Sequence, residues 1–217
     1  MTEAEWLAGV DVMPLLEHYS ANTDVRKLRL FAVACCRRKS KYFADPRCLS
    51  AVNAAEMYAD DENCIGHVDT AHQACRLAHA EWRAKQGYRG QMVWLTTALV
   101  SLTAPGLHLF PVLLDLQRVP IDSERGRNEE QANQAGLVRE IFGNPFRPVT
   151  LDPRWQSETV VALAGGIYAD RAFDRMPILA DALEEAGCNN ADVLSHCRWD
   201  GPHVRGCWVV DLLLGKS

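Results

Sequence analysis

Leu28-Arg29-Leu30-Phe31-Ala32-Val33-Ala34-Cys35-Cys36 is apolar at every position except Arg29. With Thr23-Asp24 ahead of it and Arg37-Arg38 behind, the stretch reads as one helix whose apolar side chains cover nearly every azimuth. A helix that is apolar all round is buried on most of its sides. Its neighbours must therefore be other amphipathic elements, and these also read as helices.

On the N-terminal side, Thr2 with Glu5 three residues later is a capping box for a helix through Ala8, stopped by Gly9. A second short helix is expected from Pro14 to Tyr19. On the C-terminal side, Asp45-Pro46 is an N-cap followed by proline at the first helical position. The stripe Cys48, Val52, Ala55 and Tyr58 then runs to the acidic stop Asp60-Asp61-Glu62. A longer helix is expected from Val68 to Lys85, with the stripe Val68, His72, Cys75, His79 and Trp82. Met92–Leu102 follows, then a short or kinked helix within Leu107–Leu116, which contains Pro111.

Residues 120–128 are polar and carry no apolar period, so they read as a hinge or mobile loop between two packed halves. Further helices are expected at Glu129–Phe142, ending at Gly143, and from Ser157 to Ala169. Three more follow: Asp174–Ala186, Asn190–Cys197 and Val204–Leu214. The fold expected is all-α, a single helical domain over 1–217 with about ten helices and no alternating strand.

Composition bounds the function. The net charge of −5 supplies no global field toward nucleic acid or anionic lipid. No apolar run approaches the roughly 20 residues that span a bilayer. The acidic start Met1-Thr2-Glu3-Ala4-Glu5 does not read as a signal peptide, and of the eight cysteines Cys35 and Cys36 are adjacent, and these two and Cys75 sit inside apolar helical patterns. A cytoplasmic protein with buried free thiols is the expectation. Glycine-rich phosphate loops, His-Glu-x-x-His, Gly-x-Ser-x-Gly and Asp-rich calcium loops are all missing from the sequence. Asp170, Asp174, Asp181, Glu184 and Glu185 follow the spacing of a solvated helix face.

Several stretches carry a resemblance. They are Thr2-Glu3-Ala4-Glu5-Trp6-Leu7, the run Arg26 to Arg38, Ile141-Phe142-Gly143-Asn144-Pro145-Phe146-Arg147-Pro148, and His203-Val204-Arg205-Gly206-Cys207-Trp208-Val209-Val210-Asp211. In these the chain resembles an uncharacterised bacterial protein family that is heavily duplicated in planctomycetes. The resemblance covers both ends and much of the last third, leaves out about 60–130, and implies no activity.

Three constellations bear on chemistry. His72, Cys75 and His79 fall within about 60° of one another on one helix, but His72 and His79 are about 10.5 Å apart along its axis. They read as part of the apolar stripe before they read as metal ligands. The C-terminal set Cys188, His196, Cys197, His203 and Cys207 is denser. Cys188, His196, His203 and Cys207 are the candidate zinc ligands, in spacings that match no established finger. The same region offers a thiol nucleophile, His203 with Cys207 and a third member in Asp200 or Asp211. The turn Arg198–Pro202 should bring His196, Cys197, His203 and Cys207 together, with buried neutral thiols, no metal or other cofactor, and histidines bonded to free backbone groups. The third constellation is basic: Arg37, Arg38, Lys39 and Lys41 beside Tyr42 and Phe43, a candidate nucleic-acid contact or the cationic end of a helix.

With no catalytic set in view, the sequence points to a non-catalytic module that binds or regulates another protein. Phe146, Arg147, Arg154 and Trp155 in the 143–155 loop are the candidate anchors. The alternatives are a metal-dependent or thiol enzyme at the C-terminal Cys/His cluster, and a nucleic-acid accessory protein using 37–41.

Overall fold

Thr2 Oγ1 accepts the Glu5 backbone N–H at 3.3 Å, and a Glu5 carboxylate oxygen accepts the Thr2 N–H at 2.7 Å. The expected capping box is therefore closed, and α1 runs Glu3–Ala8. The computed structural model describes residues 1–19, 24–87, 90–104, 109–119 and 124–216. Within them are twelve α-helices and no strand. The all-α reading holds, with somewhat more helices than expected. The chain divides into two compact units, Met1–Val138 and Arg139–Ser217.

Unit 1 continues with α2 (Val12–Tyr19), α3 (Val25–Arg38), α4 (Pro46–Asp60), α5 (Ile65–Gln86), α6 (Gln91–Thr103), α7 (Leu109–Leu116) and most of α8 (Glu124–Phe142). Every residue of α3 from Arg29 to Cys36 is buried, because α4, α6 and α7 all pack on it. Arg29 enters this interior by lying over the Tyr58 ring at 4.7 Å and donating from Nη1 to the Leu102 carbonyl at 3.3 Å. All eight cysteines are free thiols, and only Cys64 is not fully buried.

Asp45 caps α4 as expected and does more. Its carboxylate accepts the Arg47 N–H at 3.0 Å, the Arg47 Nη2–H at 2.7 Å and the Trp82 Nε1–H at 3.0 Å. The Arg47 hydrogen bond, helped by Trp82 and opposed by burial, holds this carboxyl well below the usual carboxylate range. A depressed folded value means a contribution that is full above the unfolded value of about 3.9 and fades as pH falls through the folded one. Asp45→Asn keeps a good cap but removes the charge, so it should cost about 1.5–3 kcal/mol near neutrality. Denaturant midpoints of parent and variant should converge under acid; a gap that stays constant down to the lowest accessible pH would refute the assignment.

The loop expected at 120–128 needs correcting. Residues 120–123 lie outside the described residues, and α8 begins at Glu124. Glu and Arg are good helix formers, so 124–128 continues the helix although it lacks an apolar period, and further along polar pairs anchor α8 beside its buried Ala135, Leu137, Val138 and Ile141. Glu130 pairs with Lys39 at 2.9 Å, and the fully buried Gln134 accepts from Gln117 Nε2 at 3.2 Å. The division of the chain falls after Val138, inside this helix.

Unit 2 contains the last turn of α8, then α9 (Glu158–Asp170), α10 (Met176–Glu185), α11 (Ala191–Cys197) and α12 (Trp208–Leu214). Gly143 ends α8 at φ +71°, where a Cβ would also sit 3.3 Å from the Trp208 ring. Asp152 caps the 3₁₀ turn Pro153–Trp155, and Ser157 caps α9. Helix α9 packs on α10 and α12, and α11 on α10 and α12, around Val160, Ile167, Met176, Leu179, Val193 and Val210. The last helix starts at Trp208, not Val204: Gly206 adopts φ +94°, which breaks the helix, and the Val204 N–H goes to a Glu140 carboxylate oxygen at 3.2 Å. Among the described residues no helix is long and apolar enough to cross a membrane.

Candidate metal centre

Asn190 caps α11 by accepting the N–H groups of Asp192 and Val193, which sets His196 in the helix's last turn. The segment after Cys197 reverses direction and returns through His203 to Cys207, the residue that precedes α12. Glu140, in the last turn of α8, faces both histidines. His203 Nδ1 is 3.1 Å from each Glu140 carboxylate oxygen. His196 Nε2 is 3.2 Å from Glu140 Oε2 and 3.2 Å from Cys207 Sγ. One donor atom from each of Glu140, His196, His203 and Cys207 lies within 4.8 Å of all the others.

The group is shielded from water. Glu140 is 2% and Cys207 0% exposed, and the side chains of His196 and His203 are 13% and 4% exposed. The Trp208 ring, 5.1 Å from His196, covers one side. Burial acts to raise the Glu140 carboxyl, but hydrogen bonds from His196 and His203 outweigh it, and the net shift is downward. Burial, reinforced by the Glu140 charge, pushes the Cys207 thiol well above its ordinary range. A divalent cation at the centre of the four would reverse that second effect, since a coordinating thiol is deprotonated outright.

The sequence candidates divide accordingly. His196, His203 and Cys207 do meet. Cys188 and Cys197 do not join them and instead belong to the core of unit 2. The histidines bond to the Glu140 carboxylate, not to free backbone groups, which corrects that expectation. The thiol faces His196 and not His203, and its complete burial denies a nucleophile access. Asp200 lies on a nearby cavity wall, and Asp211 is fully buried in α12. Glu140 was missed altogether. Its only signal is a carboxylate that, with Arg139, interrupts the apolar helix end Leu137-Val138 and Ile141-Phe142.

The other constellations disperse. His72 Nδ1 meets Thr103 Oγ1 at 3.2 Å, His79 Nδ1 meets Thr96 Oγ1 at 3.2 Å, and the Cys75 thiol points to the Arg47 carbonyl. These three residues therefore face separate partners between α4, α5 and α6. In the basic segment, Arg37 pairs with Glu56 at 2.6 Å, and Arg38 and Lys39 with Glu130 at 3.6 and 2.9 Å. Lys39 is only 7% exposed, and Lys41 lies over the Tyr42 ring. Arg37 and Lys39 are thus committed to carboxylates of the chain, whereas Arg38 and Lys41 stay exposed. Among the loop anchors, Trp155 is 6% exposed and belongs to the core, which corrects its assignment to a binding surface. Arg154 pairs with Asp152 at 2.6 Å and Arg147 with Asp192 at 3.6 Å, while Phe146 is half-buried.

No protein-family model matches the chain, and no curated protein or solved structure matches it.

Proposed function

We propose that this chain is a zinc-binding helical protein, in which Glu140, His196, His203 and Cys207 hold a structural ion that staples the C-terminal unit. The observation that carries this reading is the convergence of four donor side chains from separate points of the chain onto one shielded centre. A tetrahedral ion with ligand bonds of about 2.0–2.3 Å has donor–donor edges of about 3.3–3.7 Å. The contacts of 3.1–3.2 Å within the group must open slightly, and the widest separation, within 4.8 Å, must close by up to about 1 Å to reach that. Imidazole, thiolate and carboxylate together suit zinc, whereas magnesium and calcium take oxygen ligands. Four protein donors leave no open position, which is the pattern of a structural site and keeps the module non-catalytic. A unit of about 80 residues is also in the size range where a single core is commonly supplemented by a metal or disulfides.

The competing account is a Glu140–histidine hydrogen-bonded cluster with no ion. Protein purified without added metal should carry close to one zinc per chain by elemental analysis. Replacing the zinc with cobalt should give tetrahedral visible bands and a thiolate charge-transfer band that Cys207→Ser removes. Absence of zinc, with failure to take up cobalt, would leave the hydrogen-bonded cluster as the correct description.

A further inference from the structure

Beside the cluster, unit 2 has a second feature that the zinc reading does not use. A cavity of about 410 Å³ opens between the start of α10 and the turn that links α11 to α12. Its walls include Phe173, Asp174, Trp199, Asp200, Pro202 and His203. We infer that this cavity is a binding site for an organic cation, an alkylammonium group held against the Trp199 face and neutralised by Asp174 and Asp200.

Three observations support the assignment. Trp199 is half exposed, although a large indole loses free energy in water unless something covers it. The fold holds the ring there: a Cβ at position 201 would collide with it, so Gly201 lets it lie back along the turn, and its edge meets the His203 ring at 6.0 Å. The carboxylates and ammonium or guanidinium groups that line the cavity are of one sign only. Asp174 and Asp200 line it, form no ion pair among the described residues, and have no lysine or arginine beside them on the wall. Arg175, next to Asp174 in sequence, is exposed and does not line the wall, and Arg198, two residues before Asp200, turns its guanidinium to Asp181 and Glu184 at 2.9 and 2.7 Å. An aromatic face attracts a cation through its quadrupole, most strongly when the ring is tryptophan, and carboxylates at the rim add long-range attraction. The same walls repel phosphate and carboxylate ligands. A neutral apolar ligand would have no use for the two acids.

The test titrates the full-length protein, as purified, with choline and with its uncharged carbon isostere 3,3-dimethylbutan-1-ol. The readout is the Trp199 indole N–H resonance, assigned by comparison with Trp199→Phe. Choline should shift it saturably and bind at least about tenfold more tightly than the alcohol, a difference of about 1.4 kcal/mol. Asp174→Asn with Asp200→Asn should weaken choline at least as much while leaving the thermal transition in place. N-acetyl-trimethyllysine methylamide is the second arm. Tighter binding than choline would place the natural cation on a protein side chain, and weaker binding would mark a free small molecule. Equal binding of choline and the alcohol, no saturable shift, or full affinity in the double variant would each overturn the proposal. Because His203 lines this cavity and is also a proposed zinc ligand, each titration is run on protein of measured zinc content, before and after chelation: choline selectivity that is missing in both states overturns this site, whereas absence of zinc alone overturns only the metal reading.

Discussion

If Glu140, His196, His203 and Cys207 hold zinc as proposed, removing it is expected to cost unit 2 more than about 3 kcal/mol, and at the upper end its cooperative folding. Apparent binding free energies for structural zinc run to about 10–16 kcal/mol in small peptide folds, where binding and folding are the same event. Unit 2 has its own apolar core around Val160, Leu179, Leu183 and Val210, so part of its structure should survive. The segments that would depend on the ion are the end of α8, the turn after α11 and the start of α12, because each carries one of the proposed ligands. Dialysis against a strong chelator should lower the unfolding midpoint, and zinc but not magnesium should restore it. Acid should act in the same direction, since protons compete with the metal for imidazole and thiolate. A midpoint indifferent to chelator would contradict the proposal even if some zinc copurified.

The second large effect lies in unit 1. Phe31→Ala should destabilise the protein by about 3–5 kcal/mol, the usual loss for deleting a buried aromatic ring. Phe31 is completely buried in α3, and α4, α6 and α7 all pack on that helix. A cavity left there is walled by helices that also pack on one another and cannot all move inward at once. The measurement is the denaturant midpoint of parent and variant at constant slope. An unchanged midpoint would mean that the site collapses freely or that α3 contributes little to the core.

Much of the fold was legible before any coordinates. Capping by Thr2, Asp24, Asp45, Asp152, Ser157 and Asn190 depends on groups two or three residues away, so a local reading finds it. The burial of α3 was equally legible, because an all-round apolar helix has no solvated face to offer. Helix α8 starts at Glu124, five residues before the expected Glu129, because 124–128 carries no apolar period although Glu and Arg favour helix. Glu130 and Lys39 are 91 positions apart, and neither residue alone shows that it will be paired.

The candidate centre was half legible. His196, His203 and Cys207 are close in sequence, and a short turn between two helices had to bring them near one another. Glu140 reaches His203 across 63 positions, and no periodicity encodes that distance. Trp155 shows the same limit in reverse: arginine and tryptophan in a loop suit an interface, but the fold buries this ring in its own core. The sequence by itself determined the helical class, the caps and the most buried helix, since those follow from hydrogen bonds and apolar spacing within a few turns. Only the tertiary structure decided which carboxylate meets the histidines, which thiol joins them and which aromatic ring stays exposed. Those outcomes depend on contacts between side chains far apart in the chain, which form only when the helices pack.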